Sequence, residues 1–250
     1  MEGVLKLRIR LAIIVFIILV SPTSHLEPLK IDKIVFSGGA ALSDYQPRVI
    51  VPILTEAFKR NDIKFNAKYI PSARSLVMSN SGKTDGELHQ VGNFHEVSNG
   101  LYPNLVKIDS ELLSVWLAAF AIKKGVSINA WEDLRHYRVI YYRGGKNVQQ
   151  YVEKYVPKEQ VYVVSKDSIA FRMLLSGRAD VIISESREGQ IIINSSSEFS
   201  DVREIAKLNK TPIYSYINKK YEHLAPVIAR TLDNMKRDGT FSQIINNLSD

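Results

Sequence analysis

Short apolar segments alternate with amphipathic helical segments from Lys33 onward, and this alternation restricts the fold more than any other feature of the chain. Residues 33–38 are interpreted as a strand, and apolar residues at helical spacing in 46–60 predict the helix that covers it. The same alternation returns in 138–184. Such an order predicts an α/β protein with largely parallel sheets.

The alternation divides into two α/β blocks, 28–122 and 123–211. A long apolar segment, 112–122, ends the first block and is interpreted as a strand, with a buried helix as the alternative. A strand at 213–217 and two amphipathic helices follow the second block. Because no Pro/Gly/Ser-rich linker separates the blocks, we expect two lobes joined by direct crossings.

The first 24 residues have the layout of a secretory signal peptide. Lys6, Arg8 and Arg10 precede an apolar segment at 11–20, and small or polar residues follow. This apolar segment is shorter than the roughly 20 residues of an ordinary membrane span. We therefore expect cleavage near Ser24 and export to the periplasm, with an uncleaved anchor as the alternative.

The composition excludes several classes of function. The chain has no cysteine, which excludes disulfides, thiolate metal sites, a cysteine nucleophile and a lipid-modified cysteine anchor. Its formal net charge of +7 is a modest excess for 250 residues. Lysines and arginines are scattered and do not alternate with aromatic residues, so we expect no nucleic-acid partner.

Motifs for metals, cofactors and catalysis are missing from the sequence. The five histidines lack the i, i+4 spacing of a helical zinc site, and His89 and His95 are interpreted as surface residues. Two glycines at 38–39 lack the further residues of a dinucleotide or phosphate loop. No Gly-x-Ser-x-Gly motif occurs. We therefore predict no metal, cofactor or catalytic residue.

Polar residues in 71–88 form the first candidate ligand segment. Arg74 lies on the first turn of a predicted helix, and Glu87 follows the Gly-Lys-Thr-Asp-Gly turn at 82–86. The turn would bring opposite charges together at one place. In the alternative interpretation, Arg74 lies along an apolar surface and 82–86 is an exposed loop.

The second block contributes two further candidates at strand ends. Residues 143–147 connect a strand to a helix, where Gly145, Lys146 and Asn147 could bind a carboxylate or phosphate; an ordinary turn is the alternative. Glu185 ends a buried strand, and open α/β sheets bind ligands at the carboxyl ends of their strands. The alternative makes Glu185 the first residue of a solvated helix.

Together these segments resemble the bacterial extracellular solute-binding proteins of family 3, the type II periplasmic binding proteins that mostly serve amino-acid ABC transporters. The resemblance covers nearly the whole mature chain. It is carried by Gly-Arg-Ala-Asp at 177–180 with Glu185, by Lys-Arg-Asp-Gly-Thr at 236–240, and by Asp-Gly-Glu at 85–87 after a Pro-x-x-Arg helix.

The resemblance implies a two-lobed fold, with mixed sheets flanked by helices and a ligand cleft between the lobes. The C-terminal strand and helices would rejoin the first lobe, which gives 28–122 plus 212–250 for lobe one and 123–211 for lobe two. Glu185 would bind a ligand ammonium group. Tyr45, Trp116 and Tyr142 are candidates for the walls of the cleft, although each could equally belong to the core.

Gln90 stands where this branch of the family commonly has the arginine that binds a ligand carboxylate. A guanidinium grips a carboxylate with two charged hydrogen bonds, whereas glutamine offers one neutral amide. Either Arg74 replaces that arginine or the ligand lacks an α-carboxylate.

The expected function is that of a monomeric periplasmic receptor that captures a small polar solute, an amino acid or related amine, for the membrane permease of an ABC importer. One alternative is a sensory protein that signals to a membrane-bound kinase or cyclase. A dehydratase with Glu185 or Glu87 as general acid is the other.

Overall fold

The computed structural model describes residues 31–122, 124–143 and 146–248, with only the backbone of Lys146. The predicted signal peptide at 1–24 and Gly145 lie outside these residues. All elements below belong to the unit Asp32–Asp250.

Nine strands in the described part of the chain form one sheet in the order β2-β1-β3-β9-β5-β8-β6-β7, and β4 also pairs with β9. The strands are β1 (Lys33–Gly38), β2 (Lys64–Tyr69), β3 (Gly86–Val91), β4 (Leu105–Lys107), β5 (Leu113–Ala121), β6 (Val139–Tyr142), β7 (Val161–Val164), β8 (Val181–Glu185) and β9 (Arg203–Asn218). The helices are α1 (Tyr45–Lys59), α2 (Ser72–Asn80), α3 (Phe94–Val97), α4 (Lys146–Tyr155), α5 (Asp167–Leu175), α6 (Ser186–Ser195), α7 (Leu224–Arg237) and α8 (Thr240–Asn246).

The long strands β5 and β9 connect two groups of strands. The final residues of β9 pair with β3 and β4, whereas its earlier residues pair with β5, which pairs with β8 along its other edge. Pairing is parallel among β1, β2 and β3 and among β6, β7 and β8. We call β1–β4 with α1–α3 the first lobe and β6–β8 with α4–α6 the second lobe.

The sequence prediction of a short strand at 213–217 was wrong in extent. The strand begins at Arg203, and residues 203–213 pair with β5. Most side chains of 203–210 are only partly buried, so this part of the strand lacks the apolar alternation that marks a strand in a sequence.

Each lobe has its own apolar core. In the first lobe, the rings of Phe36, Phe58 and Phe65 pack with centroids 5.1–5.8 Å apart. In the second lobe, consecutive residues of β6 pack into two different apolar clusters, Val139 into one and Ile140 into the other. Both faces of this part of the sheet are therefore buried, as expected for parallel strands between helices. The C-terminal helices α7 and α8 contact α1.

Candidate functional site

A cavity of about 360 Å³ lies where the strand ends of both lobes meet. The first lobe contributes residues after β1, the start of α1, and β3. The second contributes the ends of β6 and β8 and the starts of α4, α5 and α6. Parallel strands followed by helices place strand ends and helix starts at one edge, which is where open α/β sheets bind ligands.

The cavity brings together six of the ten residues predicted from the sequence to bind a ligand. They are Tyr45, Glu87, Gln90, Tyr142, Asn147 and Glu185. Gly145 lies outside the described residues, and so does the side chain of Lys146. Their proposed roles remain predictions.

Arg74 and Trp116 do not line the cavity, and we correct their assignment. Arg74 is exposed, because the buried face of α2 carries its neighbour Ser75 instead. Trp116 on β5 is 39% exposed, and the Nζ of Lys207 lies 5.9 Å from the centroid of its ring. The sequence located the helix and the strand but could not fix which way these two side chains face.

Glu185 forms a direct hydrogen-bonded contact between the lobes. The Nε2 of Gln46, on α1, donates to both carboxylate oxygens, at 3.0 and 2.9 Å. The pKa of Glu185 is raised to about 7, chiefly by burial; the Gln46 hydrogen bond lowers it, and the neighbouring carboxyl groups of Glu188 and Asp167 contribute to the rise. Glu185 precedes α6 without capping it and lines the cavity instead, which favours the ligand-site interpretation over the solvated helix.

Glu87 is 1% exposed and faces two serines of α2. The hydroxyl of Ser75 donates to its Oε2 at 2.6 Å, and that of Ser79 lies at 3.4 Å. The Nε2 of Gln90 is 3.5 Å from the other carboxylate oxygen. Burial raises the pKa of Glu87 from 4.5 to about 7, and these hydrogen bonds oppose the rise.

The cavity is strongly acidic. Its described lining side chains include five carboxyl groups, those of Asp44, Glu87, Asp167, Glu185 and Glu188. The one guanidinium among them belongs to Arg187, whose central carbon lies 3.6 Å from the centroid of the Tyr45 ring. Such a cavity concentrates cations.

Asp167 is the first residue of α5, and its side chain lines the cavity. Lys166 is the N-cap of α5 and makes no side-chain cap. The Oδ1 of Asp167 instead accepts a hydrogen bond of 2.9 Å from the hydroxyl of Ser184, and both residues line the cavity. A bond between residues on separate elements was not visible in the sequence.

Sequence reasoning also placed His89 at the surface, whereas it lines the cavity, and its Nε2 is buried. Burial lowers the pKa of His89 to about 4. Its position two residues after Glu87 on a strand was a usable signal, because strand side chains alternate between faces. A register shift between Glu87 and Gln90 disturbs that alternation, and both His89 and Gln90 line the cavity.

Replacing Glu87 by glutamine is expected to stabilise the unliganded protein at pH 8 and to change little at pH 4.5. A carboxyl whose folded-state pKa is raised stabilises the fold below its unfolded pKa, and this contribution disappears as the pH rises through 7. The shift corresponds to at most about 3 kcal/mol. Urea denaturation at both pH values measures it, and Glu96→Gln, an exposed site, is the matched control. A variant less stable than the wild type at pH 8 would contradict the argument.

The described residues contain neither a metal-ligand cluster nor a membrane-spanning helix. No cluster of three or more His, Asp or Glu side chains there could hold a metal ion. No helix in the same residues is both long and apolar enough to cross a membrane.

Comparison with known proteins identifies the fold. No family model matches the sequence. An uncharacterized protein of Shewanella oneidensis is 28% identical over 195 residues, which are 76% of this chain and 72% of that protein.

Solved structures that match this chain cover most of its length. A histidine kinase sensor domain with similarity to periplasmic binding proteins has a TM-score of 0.69 at 14% identity, over 87% of this chain and 96% of that one. An ancestral arginine-binding protein bound to glutamine has a TM-score of 0.67 at 18% identity, over 86% and 97%. A probable amino-acid ABC transporter extracellular-binding protein of Bacillus subtilis has a TM-score of 0.66 at 19% identity, over 86% and 96%.

The chain therefore has the two-lobed periplasmic-binding-protein fold. The resemblance stated from the sequence is confirmed at the level of the fold. The similar structures are binding and sensor proteins rather than enzymes.

Proposed function

We propose that this chain is an exported, monomeric solute-binding protein that captures a small organic cation between lobes formed by 28–122 plus 212–250 and by 123–211. The observation that carries the proposal is the acidic cavity, which both lobes line and in which Gln46 already bonds Glu185 across the gap. A ligand that contacts both lobes favours the closed state, because only that state offers all of its contacts.

The ligand class follows from the charges of the cavity. Glu185 binds an ammonium or guanidinium group, Glu87 and Gln90 line the first-lobe side, and Tyr45 and Tyr142 form walls. A ligand carboxylate finds poor partners there, because five carboxyl groups repel it, Gln90 offers only a neutral amide, and Arg187 supplies the one guanidinium among the described lining side chains. We therefore propose an amine without an α-carboxylate, rather than an α-amino acid, as the preferred ligand.

Matched pairs of amino acids and their decarboxylated amines test this ligand class. In isothermal titration calorimetry we expect cadaverine, agmatine and putrescine to bind at least about tenfold more tightly than lysine, arginine and ornithine, because burying a poorly paired carboxylate costs more than 1.4 kcal/mol. Glutamate is the anionic control and should give no heat of binding. Tighter binding of the amino acids, or no binding of any cation to the folded protein, would overturn the proposal.

Delivery to the permease of an ABC importer is the proposed role of the captured solute. A sensory role is the second candidate, since one similar structure is a histidine kinase sensor domain. Deletion of the gene should abolish uptake of a labelled cation that the protein binds. Normal uptake with altered kinase output would favour sensing, and chemical change of the bound amine would favour an enzyme.

A further inference from the structure

His89 carries a ring nitrogen that no protein group satisfies. The residue lies on β3 and lines the cavity, and its Nε2 is buried without a hydrogen-bond partner in the described structure. Nearly all buried polar groups in folded proteins have a partner, and an unsatisfied one costs about 1–3 kcal/mol. A group that enters the cavity can supply the missing bond.

Gly38 packs against the imidazole of His89 without a side chain of its own. A Cβ atom at residue 38, the last residue of β1, would lie 3.3 Å from the Nε2 of His89 and 3.0 Å from the Cβ of Leu88. A side chain there would crowd the imidazole. The next two residues, Gly39 and Ala40, line the cavity, as His89 itself does.

The imidazole is neutral at physiological pH. Burial lowers the pKa of His89 to about 4, and its own backbone and the charge of Asp44 oppose the shift only in part. In a neutral imidazole one ring nitrogen donates and the other accepts, and the tautomer that leaves Nε2 without a proton makes it a hydrogen-bond acceptor.

We infer that His89 is a specificity-determining residue whose Nε2 accepts a hydrogen bond from an N–H group of the bound cation. The cavity then selects primary and secondary ammonium or guanidinium ions over quaternary ammonium ions of equal charge. The carboxylates respond mainly to the charge of the ligand, whereas a neutral imidazole responds to its N–H. This inference rests on the proposed function and specifies its ligand class.

The test compares cadaverine with its fully N-methylated bis-quaternary analogue, which keeps the charge and chain but has no N–H. Calorimetry on the wild type should favour cadaverine by at least about tenfold, the effect of one lost bond to a buried acceptor. His89→Phe keeps a planar ring, and it should weaken cadaverine about tenfold and leave the analogue within twofold. His89→Gln, which retains an acceptor, should recover part of the loss. His95→Phe, at an exposed histidine, is the matched control.

Nuclear magnetic resonance of ¹⁵N-histidine-labelled wild type provides a readout that does not depend on a variant folding. Cadaverine should shift the Nε2 resonance of His89, and the analogue should not. If cadaverine binds but neither this resonance nor the affinity of a folded His89→Phe variant changes, the inference is overturned and the proposed function stands. If no cation binds the wild type, the proposed function fails and the inference fails with it.

Discussion

Replacing Glu185 by glutamine is expected to weaken cadaverine binding by about 100-fold or more at pH 8. Glu185 lies at the end of a buried strand and contributes a carboxylate to the cavity. Removing one partner of a buried charge pair costs about 2–5 kcal/mol, because the other charge remains desolvated without compensation. The glutamine side chain keeps the size and one acceptor oxygen, so the change isolates the charge. Titration calorimetry measures the loss directly.

A loss of binding must be separated from a loss of fold. Because the pKa of Glu185 is raised to about 7, its charged form destabilises the unliganded protein, and the glutamine variant should be no less stable than the wild type at pH 8. Glu198→Gln removes the same charge from an exposed site outside the cavity lining and should change affinity less than twofold. A Glu185→Gln variant that binds cadaverine within threefold of the wild type would refute the assignment.

The elements of the fold were predictable wherever side-chain burial leaves an apolar pattern in the sequence. The helix expected at 46–60 is α1, Tyr45–Lys59, because its buried residues recur at helical spacing. The strand that ends at Glu185 followed from three consecutive apolar residues at 181–183, which are typical of a strand covered on both faces. The first part of β9 was missed, because its backbone pairs with β5 while its side chains are a mixture of polar and apolar residues without regular alternation.

Only the site residues that lie at strand ends could be predicted from the sequence. Tyr142, Asn147 and Glu185 follow from the rule that ligands bind at the carboxyl ends of parallel strands. Gln46 could not be predicted, because it contacts Glu185 across 139 residues of sequence and no local pattern records that distance. Arg74 failed for a local reason, since adjacent residues on a helix are about 100° apart and α2 turns Ser75 rather than Arg74 toward the core.

The affinity for cadaverine is expected to rise about 50-fold between pH 5 and pH 7 and to level off above pH 8, about 100-fold above its value at pH 5. The cation binds the ionised form of Glu185, whose pKa is raised to about 7, so two pH units below that value only about 1% of the carboxyl is ready to bind. Both amines of cadaverine stay protonated throughout this range, because alkylammonium pKa values are near 10. The dependence of affinity on pH therefore reports ionisation of the carboxyl group and not of the ligand.

Proton release provides an independent check on the same argument. Binding lowers the pKa of Glu185 by placing a cation beside it, so at pH 6 each cadaverine should displace close to one proton from this residue, and Glu87, whose pKa is also about 7, can add to that number. Calorimetry in phosphate and in ACES, which both buffer at this pH and differ in ionisation enthalpy, counts the protons. The Glu185→Gln variant should release fewer and show a flatter pH profile. An affinity independent of pH between 5 and 7 would show that the cation is bound by carboxylates that are already ionised at pH 5. Glu185, whose pKa is raised to about 7, would then not be the main cation-binding residue.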